Sequence, residues 1–397
     1  MMNEERQPSK FWAYVAVLVG GLLLLAGVVT TVSFLGLPLF LGGDIIGPQL
    51  GQIAGMFIGL VCGSLALFHG LGSILKRRSS SLKLPSIISF LLVFALVLGL
   101  GNLVINFEIA TELLFPPLFV LGAALPTFVV LAWAGRKLGW PITWRQGALA
   151  FVAGSTLSII VAILLQTIFP YVIYSLLMPF EYFAYSFSEL ASGTSGFLDK
   201  LFSSPFIIIF FIITALQAPI PEEFAKALGL TMFGRKRVIE ERQAFMIGLA
   251  SGAGFAILEN MLYEGVYAQW SGWTWGGVTL IRGIGSVMHP LCTAIVALGW
   301  FRARKKGWGA LLKAYFLAIG LHTLWNGGFL PFIYLSGLDY YAISESSLSV
   351  YGLAIEVLLV VFLIALSIGL WWLLSHLVSG MAEDTEPELA PMVISPR

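Results

Sequence analysis

FWAYVAVLVGGLLLLAGVVTTVSFL, residues 11–35, runs for twenty-five positions without a formal charge. A helix rises about 1.5 Å per residue and the hydrocarbon core of a bilayer is about 30 Å thick, so an apolar run beyond about 18 residues reads as a membrane span. Arg6 and Lys10 give the stretch the outline of a signal peptide. No small-residue cleavage site closes it, and it reads as an uncleaved first span.

The pattern recurs along the chain. Further spans are predicted near 50–75, 84–106, 113–134, 145–171, 201–218 (continuing to about 233), 243–267, 277–300, 308–330 and 347–377. The fold class is therefore all-α, a polytopic transmembrane helical bundle of about ten spans. Composition agrees: 58% of the 397 residues are hydrophobic and 11% charged, against about 25% charged in soluble chains. Mean hydropathy is +0.92. The net charge of +1 and its placement in short loops give no footprint for nucleic acid. Cys62 and Cys292 both fall inside apolar runs, which argues against a disulfide framework.

The loops orient the spans. Lys76-Arg77-Arg78, Arg136-Lys137, Arg235-Lys236-Arg237 and Arg302-Arg304-Lys305-Lys306 fall at every second junction. The junctions between carry Asp44, Glu108, Glu112, Glu189, Asp199 and Asp339. Positive loops stay in the cytoplasm, which places both termini there. Residues 172–200 read as a re-entrant or interfacial piece, and 264–276, with Tyr267, Trp270, Trp273 and Trp275, as an outer aromatic belt. Four regions result: motif-free spans in 1–200, a helix bundle with polar residues in 201–335, a last span in 336–380, and a disordered cytoplasmic tail in 381–397.

Ionisable groups inside a span cost roughly 2.5–3.5 kcal/mol each on insertion scales and mark function by default. Four stretches qualify. In Pro219-Ile220-Pro221-Glu222-Glu223-Phe224-Ala225-Lys226 the prolines would break the sixth span and open a new helix, whose positive end favours carboxylates. Glu222 and Glu223 lie one turn from Lys226, and two adjacent acids suit a general base. A structural Glu–Lys bridge is the bland alternative. Glu259, followed by Asn260, stands in an apolar helix with no cation nearby in sequence, while Glu264 reads as an interface residue. His289 follows Arg282 by about two turns, with Arg282 near the outer interface and able to snorkel. His322 and Asn326 share a face one turn apart. A lone intramembrane histidine is often a packing residue, the reading given to His69 and His376.

Depth ties these residues together. Counted from the basic loops at 1.5 Å per residue, Glu222 and His289 stand roughly 20 Å up and Glu259 and His322 roughly 25 Å up. Glu259, His289 and His322 are a candidate Zn²⁺ set, because a catalytic zinc takes about three protein ligands and keeps a position open for water. Glu222 or Glu223 would take the proton, Lys226 would hold a glutamate ionised, and Asn326 would donate to an oxyanion. The same residues could work without a metal, with the glutamate pair activating water directly.

The ordered set Glu222-Glu223-x-x-Lys226, Phe255-x-x-x-Glu259-Asn260, His289 and His322-x-x-x-Asn326 resembles the PrsW-type intramembrane proteases. It is more distantly similar to the CAAX-processing and bacteriocin-immunity membrane proteases. The resemblance spans roughly 205–330 and implies peptide-bond hydrolysis within or beside the membrane. In bacterial members it implies regulated proteolysis of membrane-anchored proteins such as anti-sigma factors, so a bacterial or archaeal cell membrane is expected. By position, Glu222 and Glu223 match the catalytic pair, and Glu259, His289 and His322 the other functional positions. The family is described both as metal-dependent and as glutamate-dependent, so the metal stays open. Two other classes stay open beside the protease: a proton- or cation-coupled transporter, for which intramembrane Glu, His and Lys would form a relay, and a non-catalytic scaffold on a protease fold.

Overall fold

Small residues crowd the middle of Glu241–Ala268, where Gly248, Ala250, Ser251, Gly252, Ala253 and Gly254 follow within seven positions. Helices in a membrane gain little from hydrophobicity against each other and associate through close backbone packing, which such residues permit. This helix is the centre of the bundle in the computed structural model, which describes residues 9–33, 50–105, 108–177, 212–213, 215–233, 238–268, 272–328 and 350–383.

In chain order the helices are α1 (Lys10–Thr31), α2 (Gly51–Ile74), α3 (Ile87–Val104), α4 (Glu108–Lys137), α5 (Trp144–Ala153, continuing as Ile159–Leu177), α6 (Pro219–Thr231), α7 (Glu241–Ala268), α8 (Gly272–Ile284), α9 (Met288–Lys306), α10 (Trp308–Gly327) and α11 (Val350–Glu383). No strand occurs among the described residues. The chain is an all-α polytopic bundle. Eight helices among the described residues are long and apolar enough to cross a membrane, with α8 and α9 counted as one span. Of the remaining predicted spans, the sixth lies mostly outside the described residues. The ninth is the 20-residue α10, whose Lys313, His322 and Asn326 lower its hydropathy. The Arg235–Arg237 loop, residues 178–200 of the expected interfacial piece and residues 384–397 of the tail also lie outside the described residues. Residues 172–177 prolong α5 as helix.

Burial separates an inner group of helices from an outer one. The α7 window is 89% buried and that of α3 only 11%, so α7 is walled by protein while α3 presents its apolar surface outward. Around α7 stand α4, α5, α6, α8 and α9. α9 runs antiparallel to it, and at one end the Arg302 guanidinium grips Glu241 with two bonds of 2.9 and 2.6 Å. Nearer the other end, Gly252 lies against the backbone of α9. A Cβ there would sit 2.7 Å from Pro290 Cα and 2.8 Å from Thr293 Oγ1, closer than atoms pack.

Two helices begin inside the bundle. α6 starts at Pro219 after a single turn residue, Ala218, and places Pro219 and Pro221 where a missing N–H costs nothing. The proline break expected from the sequence is therefore present as a local loss of ladder bonds. The predicted eighth span is also interrupted. Residues 285–287 leave the helix in a tight turn closed by Met288 N–H to Gly285 O at 3.0 Å, and α9 opens just before His289. The turn begins at a glycine of necessity, since a Cβ on Gly285 would enter the Trp325 ring of α10.

Because Gly252 holds the α7–α9 contact directly against the His289 carbonyl, Gly252→Val should cost about 1–3 kcal/mol by overpacking. A lowered unfolding midpoint in detergent, with Gly277→Ala (open space around its Cβ) unchanged, is the expected result.

Candidate functional site

α6 enters the bundle between α5, α7, α9 and α10, and its N-terminal half carries two acids and a lysine into a buried interior. Three side chains hold it there. Tyr315 of α10 donates to Ile220 O at 2.8 Å, Ser251 of α7 donates to Lys226 O at 3.2 Å, and Gln166 of α5 donates to Glu222 Oε1 at 2.8 Å. Glu223 and Lys226 are fully buried and Glu222 nearly so.

The Lys226 ammonium is the hub. It lies 2.8 Å from Glu223 Oε1, 3.2 Å from Glu222 Oε2 and 2.7 Å from His289 Nδ1, with the Phe255 ring centre 4.1 Å away. An ammonium can only donate, so His289 Nδ1 accepts and its Nε2–H points to Glu259 Oε2, with which it is in contact. His322 takes the opposite tautomer. Its Nδ1 lies 2.8 Å from Glu223 Oε1, an acceptor, so Nδ1 carries the proton and Nε2 the lone pair. That Nε2 stands 3.1 Å from Asn326 Nδ2 and 3.7 Å from Glu222 Oε2. The imidazoles meet edge to face with centres 4.8 Å apart.

All seven residues singled out in the sequence, Glu222, Glu223, Lys226, Glu259, His289, His322 and Asn326, thus join one contiguous cluster, buried except for the partly buried Glu259 and Asn326. Their grouping differs from the expected set in one respect. The three donors that come within 4.8 Å of one another belong to Glu222, His289 and His322, while Glu259 stands behind His289 on the side of Arg282. Zinc–ligand bonds of about 2 Å put tetrahedral donors about 3.3 Å apart, so the trio would close up to hold an ion. Its chemistry also suits a divalent ion: two imidazoles, one carboxylate, and two buried carboxylate oxygens, Glu222 Oε2 and Glu223 Oε2, that make no hydrogen bond. Lys226 and Asn326 now occupy the imidazole lone pairs and would turn aside.

Four readings of the sequence change. Arg282 does not snorkel; its guanidinium turns inward, donating to Glu259 Oε2 at 2.8 Å and Asn260 Oδ1 at 2.7 Å over the Tyr263 ring. Asn260 in turn donates to Ala123 O of α4 at 3.3 Å. Glu264 is 1% exposed rather than interfacial, and Trp275 is fully buried against α4 rather than part of a belt; Tyr267, Trp270 and Trp273 lie outside the residues whose side chains are described. Gln166 belongs to the half of the chain that showed no motif. Its signal was a single amide in the apolar stretch Ile159–Leu177. His69 and His376 stay outside the cluster, ringed by Phe68 and Trp372 of their own helices.

Arg282→Leu would leave Glu259 without its guanidinium partner in the interior. Breaking a buried pair costs about 3–5 kcal/mol, so the variant should melt well below wild type. Glu259→Gln/Arg282→Leu should recover part of that loss, and a double variant as unstable as the sum of both singles would refute the pairing.

A family model described as PrsW family intramembrane metalloprotease matches residues 143–366, a longer stretch than the motifs alone delimit. No curated protein and no solved structure gives a significant match.

Proposed function

The chain belongs to the PrsW family of intramembrane metalloproteases, and from that premise we propose that Glu222, His289 and His322 hold a divalent metal ion, zinc by donor type, at which peptide bonds of membrane-anchored proteins are hydrolysed. That the protein is a membrane-embedded protease follows from the family; the residues, the ion and the substrate are the proposal. One observation carries it most: the three donors converge within 4.8 Å from three different helices, beside a carboxylate oxygen that has no hydrogen bond.

When bound, such an ion lowers the proton affinity of a water and polarises a peptide carbonyl. The chain supplies the rest. Glu223 fixes the His322 tautomer and so turns Nε2 toward Glu222. Glu259, itself anchored by Arg282, orients His289 in the same way from the other side, the arrangement by which outer partners set ligand geometry. Glu259, expected as a ligand, is accordingly assigned to this supporting role. Proton uptake from water falls to Glu223, whose Oε2 makes no hydrogen bond, and Lys226 beside it donates protons within hydrogen-bond reach. Asn326, whose Nδ2 would leave the His322 Nε2 lone pair to the ion, supplies an N–H to the carbonyl oxygen as negative charge develops there.

Charge favours a cation at the site. Glu222, Glu223 and Glu259 when ionised carry three negative charges against two positive ones on Lys226 and Arg282, leaving one negative charge in surplus. The substrates we infer are single-span proteins reaching the site sideways through the bilayer. The orientation supported by the basic loops has both termini in the cytoplasm of a bacterial or archaeal cell.

Purified protein should carry near-stoichiometric metal by mass spectrometry and lose it in His289→Ala/His322→Ala. In proteoliposomes with single-span reporter proteins, Glu222→Gln and Glu223→Gln should each lower cleavage by at least about a hundredfold, while His69→Ala and His376→Ala stay near wild type. A strong chelator should stop cleavage and added Zn²⁺ restore it. Full activity in Glu222→Gln/Glu223→Gln, or in a metal-free wild type, would overturn the assignment.

A further inference from the structure

Gln166 stands in the second half of α5, in a stretch that is apolar on both sides of it. An amide in such a span needs a partner, since nothing in the hydrocarbon satisfies its N–H groups. The partner is Glu222, whose Oε1 accepts from Gln166 Nε2 at 2.8 Å across 56 positions of sequence. The neighbouring Thr167 makes no such reach and donates back into its own helix, to Ile163 O at 2.8 Å.

The two oxygens of Glu222 are thereby made unequal. Oε1 is taken by the amide, whereas Oε2 has no hydrogen bond and faces Lys226 at 3.2 Å and His322 Nε2 at 3.7 Å. A glutamine does this in a way that a lysine or arginine could not. It supplies direction without adding charge, so the carboxylate keeps its full negative charge for whatever lies on the Oε2 side.

We propose that Gln166 is a positioning residue for Glu222, capping Oε1 so that the carboxylate presents Oε2 alone to a divalent metal ion at His289 and His322. The inference rests on the metal assignment made above and adds to it a residue from outside the acid and histidine motifs, together with a denticity: Glu222 binds through one oxygen. Outer partners that orient a ligand typically contribute about 10- to 100-fold in metal affinity. Removing the amide also frees Oε1 to swing onto the ion and raise its coordination number, an effect that a helix tie of purely structural kind would not have.

The test uses Co²⁺ as the probe, because its visible bands weaken as coordination rises above four. Full-length protein in detergent is stripped of metal and titrated with Co²⁺ as wild type, Gln166→Leu, Gln166→Met, Thr167→Val and Glu222→Gln, with helical content and melting checked by circular dichroism. Expected are tight binding with intense bands for wild type and Thr167→Val, and strong loss for Glu222→Gln. Whichever Gln166 variant folds as wild type should bind about 10- to 100-fold more weakly and with weakened bands. Wild-type affinity and spectrum in a folded Gln166 variant, with Glu222→Gln still defective, would overturn the role of Gln166 and leave the metal assignment intact. No Co²⁺ binding by wild type, or unchanged binding by Glu222→Gln, would overturn the metal assignment and this inference with it.

Discussion

An ammonium group sealed inside a membrane protein must be neutralised by its neighbours, and that requirement at Lys226 organises everything around it. Two carboxylates from its own helix and an imidazole from another surround the Nζ atom within 3.2 Å. Once Lys226 is fixed, His289 and His322 have no freedom in their tautomers, because one faces a group that can only donate and the other a group that can only accept. The site is therefore set up by hydrogen-bond logic in a medium where an unmade bond is expensive.

The surrounding helices exist to keep these partners in register. α6 and α9 both begin within the bundle, so two helix N-terminal ends lie close to the acids that profit from the positive end of the dipole. α7 supplies the rigid back wall. Its glycines let α9 approach until the His289 carbonyl abuts Gly252, and the Arg302–Glu241 clamp at the far ends prevents the pair from sliding.

The sequence showed the spans because lipid imposes long uncharged runs, and it showed the seven clustered residues because charges in such runs are rare. The new helix at Pro219 was legible for the same local reason, proline chemistry. What was hidden depended on contacts between distant segments. Arg282 looks the same whether it rises to the headgroups or turns to Glu259, since periodicity says nothing about where a neighbouring helix stands. Glu264 and Trp275 sit near a span end, where a belt and a core have the same composition. At 285 only glycine fits beside Trp325 on another helix, and a glycine in a glycine-rich span gives no hint of that contact. Gln166 was visible only as one amide among apolar residues, and its meaning required Glu222 beside it.

The distribution of charge also bears on how the chain enters the bilayer. On α6, Glu222, Glu223 and Lys226 lie within a single turn, so this segment carries its own counter-ion into the membrane. Glu259 has no such companion on α7; its cation is Arg282, on α8. Each would be a costly passenger if its helix partitioned alone. Only three residues lie between Ala268 and Gly272, so the acid and the guanidinium stand on successive helices and neutralise each other across a short connection. Paired in this way, the two charges weigh less on a hydrocarbon interior than either would alone.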